Sequence, residues 1–556
     1  MKRTVFFAVF MLFGIMPLMA YDFSASCSSG QTLYYNITDS MNQYVELTHP
    51  SDDNVYFWEG FQEPEGRLVL DATVTNDNMT YWVKSVGEKA FFQCKGITSL
   101  VISEGIEKIG AVAFCSCDAI ETISFPESLN ELCSESFKWC HNLTEVNLMG
   151  ERLVVSGIPF ESCGNLHSVN INVRTASCSR MFYDCRNISS VTIGENVRFF
   201  VVDESMLNVN SDTRIQDVYF NATDCYSCRA VFNVPIERLH IGQNVTRIPD
   251  FAFCQTRLTE LELPESLLYI GDYAFQRLKI KDLNIPNSVR TIGYHSFYNC
   301  EQLESVVIGK GLEGIPTGAF EDCRALKTVV IGSNVSYLAE NAFGYCRKIR
   351  KVSVRATTPP ALRGKTFFAD DNFYVEIPCG MSETYGQAEY WKSFPMLETG
   401  ARITVRNSNP NCGWTEIAKK PTCEDDEVIV KAHANEGDWF EAWLVDGEVV
   451  STESVYVFHT QEDVELVALF GGTATMENNS CPLTIYPNPV KDCLNVMVPQ
   501  HVNVQKIELF DVLGQLMLQK MPSDSSLDVQ GLPSGCYILR ICLENGMTYS
   551  SKVVKE

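Results

Sequence analysis

The chain has 556 residues, of which 45% are hydrophobic and 20% charged, with a formal net charge of −25 at neutral pH. That length exceeds what one hydrophobic core serves, so several domains or a repeat array are expected. The acidity argues against a nucleic-acid binder, which needs clustered lysine and arginine, and against passive adsorption to anionic membranes; it suits an exported protein kept soluble by charge.

Taken in chain order, the first element is a signal peptide. Lys2 and Arg3 form a positive start, Val5 to Phe13 is an unbroken apolar run, and Pro17 breaks any helix before a small residue at Ala20. Cleavage is expected after Ala20, removing residues 1–20. The apolar stretch is short for a membrane span and no basic stop-transfer cluster succeeds it, so the mature chain is expected to have no transmembrane segment. Residues 21–82, with strand-like pieces at Thr32–Tyr35 and Leu68–Leu70, are expected to cover one end of a repeat array.

The array itself shows as strict periodicity. An aromatic position recurs at Phe91, Phe114, Phe137, Phe160, Phe182, Phe253, Phe275, Phe297, Phe320 and Phe343. The apolar residue opening a short strand recurs at Leu100, Ile123, Val146, Val169, Val191, Val218, Leu239, Leu261, Leu283, Val306, Val329 and Val352, in steps of 21 to 23 residues except one of 27 before Val218. Alternation within pieces such as Val306-Val-Ile308 places every second residue on one face, and only neighbouring coils can bury it. Twelve such rungs, at roughly 4.8 Å each, predict a continuous sheet about 55 Å long. Arg198 to Thr213 departs from the pattern and marks an irregular coil.

Eight of the 22 cysteines (Cys94, Cys117, Cys140, Cys163, Cys185, Cys300, Cys323 and Cys346) stand three residues after the phenylalanine. Stacked coils bring them within bonding distance at Cα, but equivalent positions point their Cβ vectors the same way, so free buried thiols are expected. Cys225-Tyr-Ser-Cys228 is open between a local disulfide, half a metal site and unpaired thiols.

The recurring Ile-Gly-x-x-Ala-Phe-x-x-Cys-x-x-Leu-x-x-Val-x-Ile theme over residues 83–356 resembles the BspA-like (Treponema-type) leucine-rich repeats. Residues 357–400, with Pro359-Pro360, Tyr374–Pro378 and Tyr390-Trp391, look like the C-terminal cap that such an array needs, because an open last rung exposes strand edges and core. In 401–470 the period changes to alternating strands, among them Val428–Ala434, Val455–Phe458 and Val464–Phe470. Ala442-Trp443 and the closing Val-Ala-Leu-Phe resemble the internalin B-repeat, although Asp438-Trp439-Phe440-Glu441 departs from its usual glycine before the tryptophan. Cys412 and Cys423 flank an expected hairpin there and are candidates for a bond. Residues 471–481 are small and polar, a linker. Residues 482–556 predict a small antiparallel sandwich with glycine and proline turns. Their ordered motifs, Pro487-Asn488-Pro489, Gly514, Gly535 and Lys552, resemble the type A C-terminal sorting domain of type IX secretion. That resemblance implies export through the outer membrane by the type IX machinery, removal of the domain in or near the linker, and attachment at the bacterial surface.

The fold class expected is therefore mainly β: a leucine-rich-repeat solenoid, a small β-repeat domain and a β-sandwich sorting domain. Eight scattered histidines and the lack of His-Glu-x-x-His, Gly-x-Ser-x-Gly or a phosphate-binding glycine loop predict no catalytic, metal or cofactor site. The outward row of the main strands (Val101, Ser124, Asn147, Asn170, Thr192, Tyr219, His240, Glu262, Asn284, Val307, Val330 and Ser353) is mostly small and polar. It lacks the several aromatics of a sugar platform and points to a protein ligand or an unspecialised face. Its most distinctive patch is Tyr219, Arg238, His240, Glu260 and Glu262, read either as a ligand contact or as ordinary solvated strand residues. The function expected is surface display for protein binding or adhesion to host or neighbouring cells; the alternative is a structural surface scaffold without a dedicated ligand.

Overall fold

A computed structural model describes residues 20–51, 57–178, 180–202, 206, 214–228, 234–367, 373–445 and 447–471, and, beyond these, the strands and adjoining residues between 484 and 555. The chain divides into two compact units, one running to Thr399 and one from Gly400. The signal-peptide segment before Ala20 lies outside the described residues.

The first unit opens on an antiparallel meander, Phe23–Ser26, Thr32–Asp39 and Tyr44–Thr48. After it, apart from the antiparallel hairpin of Thr73–Asn76 and Met79–Val86, the strands run parallel, coil upon coil. The main ladder begins at Gly66–Leu70, Ile97–Ile102 and Thr122–Ser124. That sheet ends there, and a second runs through Glu145–Val155, Ser168–Cys178, Ser190–Ile193, Ile215–Phe220 and Ile236–Ile241. The ladder resumes at Asp282–Ile285 and runs through Ser305–Ile308, Thr328–Ile331, Lys351–Val354, Tyr374–Pro378 and Met396–Thr399. The parallel register thus extends past the twelve counted rungs at both ends, taking in Leu68 and Val375.

It is also interrupted, which corrects the expectation of one continuous sheet. No strand forms at Leu261, and Leu239, Ile241, Leu261 and Leu263 are half-buried where their counterparts are buried. The coils at this point step by only 21 or 22 residues. Length alone does not account for the break, since the 22-residue step from Val169 to Val191 keeps both ladders paired and the 21-residue step from Val218 to Leu239 keeps the main one. The second ladder survives, through Arg247–Ile248, Tyr269–Ile270 and Thr291–Ile292, and the main one gives way.

The corners are hydrogen-bonded along the array too, although they are not strands. Lys89, Phe91 and Gln93 donate their N–H groups to the carbonyls of Ala111, Ala113 and Cys115 in the next coil. Val112, Phe114 and Ser116 do the same to Ser134, Ser136 and Lys138. Every second amide is aimed along the axis within this tight turn by placing two residues, four apart, in the left-handed region of each corner: Lys89 and Gln93, Val112 and Ser116, and Glu135 and Trp139 all have φ between 58° and 62°.

Inside the corners the phenylalanines form columns. Phe91, Phe114, Phe137, Phe160 and Phe182 stack with centroids 4.9 to 5.4 Å apart, and Phe253 to Phe367 form a second column at 5.2 to 5.7 Å. Trp58 stacks on Phe91 at one end, and Trp391 meets Phe367 edge-on at the other. Both tryptophans are buried, with Nε1–H groups donating to the carbonyls of Ala90 and Pro360.

In the second unit, Gly413–Lys419, Glu427–Ala434 and Val455–His459 form one antiparallel sheet. Ile403–Asn407, Val464–Gly471, Trp439–Val445 and Glu448–Ser451 form a mixed sheet around buried Trp443, its first pair parallel and the others antiparallel. The candidate bond between Cys412 and Cys423 does not exist. Cys412 is a free, buried thiol accepting from Asn409 Nδ2 at 3.0 Å, whereas Cys423 is disulfide-bonded elsewhere. The hairpin strand Gly413–Lys419 separates them, about 20 Å at the usual rise per residue. Thr484–Tyr486, Cys493–Met497 and Ser526–Asp528 pair in one antiparallel sheet, and Leu516–Lys520, Val504–Asp511, Gly535–Leu543 and Thr548–Lys555 in a second, with Leu494, Leu509 and Leu539 in their core.

All eight ladder cysteines are free and buried. Seven of them do a specific job: the thiol donates to the carbonyl of the phenylalanine one coil back, Cys117 to Phe91, Cys140 to Phe114, and so on to Cys346 and Phe320, at 2.8 to 3.4 Å. Burial pushes the Cys117 and Cys323 thiols well up, so the donor proton stays in place at neutral pH. Iodoacetamide is accordingly expected to leave the ladder thiols of the native protein unmodified and to label them once urea unfolds the chain, as read by intact mass. Phe137→Ala, which removes one ring from the middle of a stack, should cost about 3 to 5 kcal/mol in urea denaturation.

Candidate ligand-binding face

The main ladder sets one outward residue from each coil beside the next, at strand spacing. Around the irregular coil the partners are Asp217 and Arg238, and Tyr219 and His240. The rings of Tyr219 and His240 stack, with centroids 4.6 Å apart and planes 13° from parallel. Asp217 is the hub beneath them. Its two carboxylate oxygens accept from Arg238 Nε at 2.7 Å and Nη2 at 2.6 Å, a bidentate grip, and His240 Nε2 lies 3.0 Å from Oδ1. The Arg238 guanidinium holds the Asp217 carboxyl below the usual carboxylate range, and the His240 contact adds to this.

Of the five residues singled out from the sequence, the structure brings together Tyr219, Arg238 and His240. Glu260 and Glu262 are exposed or half-exposed on the next coil, where the main strand is lost, and neither has a side-chain hydrogen bond or ion pair among the described residues. Sequence reasoning misses Asp217, because it sits one strand position before the apolar Val218 and no motif marks it. The signal present is its register opposite Arg238, 21 residues on.

A second surface feature is equally unmarked in the sequence and lies off the main strands. On the second ladder the Arg247 guanidinium lies between the rings of Tyr226 at 5.0 Å and Tyr269 at 4.1 Å. Asp224 binds both Arg247 Nε at 3.3 Å and the Tyr226 hydroxyl at 2.7 Å. Phe199 stacks on the far side of Tyr226 at 5.5 Å.

Cys225 and Cys228 are both free and buried, and among the described residues no group of three or more potential ligands is placed to hold a metal ion. Of the sorting motif, Gly535 opens the strand Gly535–Leu543 and Lys552 pairs with Ile538 in the last strand. Pro487, Asn488, Pro489 and Gly514 lie outside the described residues, as does the linker after Gly471. No helix among the described residues is long and apolar enough to cross a membrane. The geometry around Asp217 fixes a sign: with a depressed folded pKa, its contribution to stability is present above the free carboxyl value and lost as pH falls through the folded one. NMR titration should find Asp217 below the ordinary ~3.9, and Arg238→Ala should return it toward that value.

Comparison with known proteins agrees with this architecture. Residues 78–206 and 228–350 match the BspA type leucine rich repeat region in six copies, and residues 484–556 match the secretion system C-terminal sorting domain. A 72-residue stretch is 35% identical to β-agarase D of Zobellia galactanivorans, and the chain spans 14% of that relative's length. Among solved structures, a leucine-rich repeat protein from Bacteroides ovatus is similar over 68% of this chain and 100% of its own, at 20% identity and a TM-score of 0.35. A leucine rich cell surface protein from Faecalibacterium prausnitzii covers 68% and 96% at 16% identity and a TM-score of 0.23, and the pneumococcal vaccine antigen PcpA 68% and 99% at 15% and 0.29. The protein is a secreted, cell-surface leucine-rich-repeat protein, built on a BspA-type repeat region and carrying a type IX secretion C-terminal sorting domain.

Proposed function

We propose that the protein is a non-catalytic binding protein of the bacterial surface, whose repeat array engages a protein ligand on a host or neighbouring cell through the main-strand face at Tyr219, Asp217, Arg238 and His240. The observation that carries this reading is the stacked Tyr219–His240 pair clamped over the Asp217–Arg238 ion pair. It is a preorganised aromatic and arginine cluster on a row otherwise made of small polar residues, and tyrosine and arginine dominate the energetics of protein interfaces. Glu260 and Glu262 on the next coil extend the patch with negative charge.

In this reading residues 1–20 are a signal peptide cut after Ala20, 21–82 and 357–400 cap the array of 83–356, and 401–470 form an internalin B-repeat-like stalk. Residues 471–481 link it to the sorting domain at 482–556, which hands the chain to the type IX machinery through Pro487, Asn488, Pro489, Gly514, Gly535 and Lys552. No cofactor enters the function.

The triple substitution Tyr219→Ala, Arg238→Ala, His240→Ala is expected to reduce attachment of the displayed protein to host matrix proteins or cells at least tenfold, with only the small fall in thermal stability that loss of an exposed ion pair and ring stack brings. Attachment that survives it removes this face from the function, and a displayed wild type that attaches to nothing favours the scaffold reading. Terminal sequencing of the surface fraction should find a mature start at Tyr21 and an end within 471–481; full-length protein confined to the periplasm would contradict the export route.

A further inference from the structure

A groove of about 450 Å³ crosses four coils in the C-terminal half of the array, on the corner next to the second ladder and away from the main-strand face. Tyr294, Thr317, Glu340 and Gly364 line it from the same place in successive coils, each three residues before the stacked phenylalanine. Three coil steps at roughly 4.8 Å make it about 14 Å long. Pro316 and Ala339 form a flat, small-residue floor. Tyr294, 57% exposed, closes one end, and Tyr337 with Arg363 stands at the other.

The far wall is built, not incidental. The ring of Tyr337 lies over Gly314, where any Cβ would strike it, and the Arg363 guanidinium sits 3.9 Å from the ring centroid. Gly364, at φ +80°, leaves room for the Glu340 side chain. Elsewhere the array pairs acids with bases coil to coil, as in Lys84–Glu107 at 2.7 Å and Lys138–Glu161 at 2.9 Å. In the groove, Glu340 and Arg363 have no ion pair among the described residues, and the Tyr294 hydroxyl has no hydrogen bond among them. An exposed acceptor, Glu340, and a donor held against the Tyr337 ring, Arg363, therefore face the same trough with no ion pair of their own among the described residues.

We propose that this groove binds a short saccharide. A pyranose has an apolar C–H face that suits the Tyr294 ring and a rim of hydroxyls that both donate and accept, which matches Glu340 as acceptor and Arg363 as donor. A simple anion is disfavoured by the carboxylate in the same trough, and an apolar ligand leaves both charges desolvated and unpaired. The floor of small residues admits a ring in depth where the flat main-strand face does not. The site is independent of the protein-binding face proposed above.

The test uses the mature, full-length protein on an array of neutral and acidic oligosaccharides, followed by calorimetric titration of the best binder. Tyr294→Ala should weaken binding about 3- to 10-fold, the worth of one aromatic contact, while Tyr294→Phe stays within about twofold. Glu340→Gln and Arg363→Ala should each weaken it further than Tyr294→Phe, and the Tyr219, Arg238, His240 triple variant should not. These side chains are exposed, so thermal unfolding should be unchanged; if Tyr294→Ala misfolds, the two charge variants carry the test. No binder on the array, binding indifferent to Tyr294 and Arg363, or binding lost with the triple variant instead would each overturn the proposal.

Discussion

Everything in the first unit depends on one constraint: the backbone of each coil hydrogen-bonds to the next at strand spacing on every side, corners included. In the two ladders this is ordinary parallel pairing. At the corner it is not, because a tight turn normally directs its amides in several directions. The chain solves the problem with two left-handed residues, four apart, in each corner, and even Val112, a β-branched residue that resists that conformation, sits at φ 59°. The strain is tolerable because the peptide unit entering the residue is bonded to both neighbouring coils: Ala111 O accepts from Lys89 N and Val112 N donates to Ser134 O.

Once the axis is fixed, every position becomes a column, and columns explain what a single coil cannot. A phenylalanine in one coil is only a buried ring; repeated coil after coil it is a stack whose faces are covered. The cysteine three residues later faces a turn carbonyl one coil back, so a small, polarisable donor fits where an alanine leaves that carbonyl with one partner fewer. This also settles why abundant cysteine in an exported protein need not mean disulfides. Parallel coils translate each side chain without turning it, so neighbouring thiols point alike rather than at one another. Where the column lacks cysteine, Thr256 takes its place with a hydroxyl donating to Phe253 O at 2.9 Å, and Leu278 fills the next site.

Columns are what a sequence shows best, since they recur at a fixed step. The phenylalanine and cysteine positions and the inward strand residues are legible for that reason. The relations between columns are not. Asp217 becomes a hub only when coil register sets it opposite Arg238, and the Tyr226–Arg247–Tyr269 sandwich needs the register of a two-residue strand. The corner hydrogen bonds leave no compositional trace, because lysine, valine, glutamate and tyrosine all serve at the left-handed site. The break at Leu261 leaves no trace in the step, because coils of 21 and 22 residues elsewhere keep their main strands, and the apolar alternation of Leu261-Glu-Leu263 matches theirs.

The same logic locates candidate function by exception. A solenoid that stacks perfectly presents uniform rows, and many charges on this one are neutralised between coils at 2.5 to 3.4 Å. A site arises where a row is locally non-uniform and the fold still holds its members rigid. Tyr219 and His240 meet that condition beside the irregular coil, and Tyr294, Glu340 and Arg363 meet it across the groove near the other end. The first is presented by paired strands and the second by corners hydrogen-bonded from coil to coil, so neither needs a loop to order on binding. Preorganisation of that kind lowers the entropic cost of capture, which matters for a surface protein that must hold its ligand without an enclosed pocket.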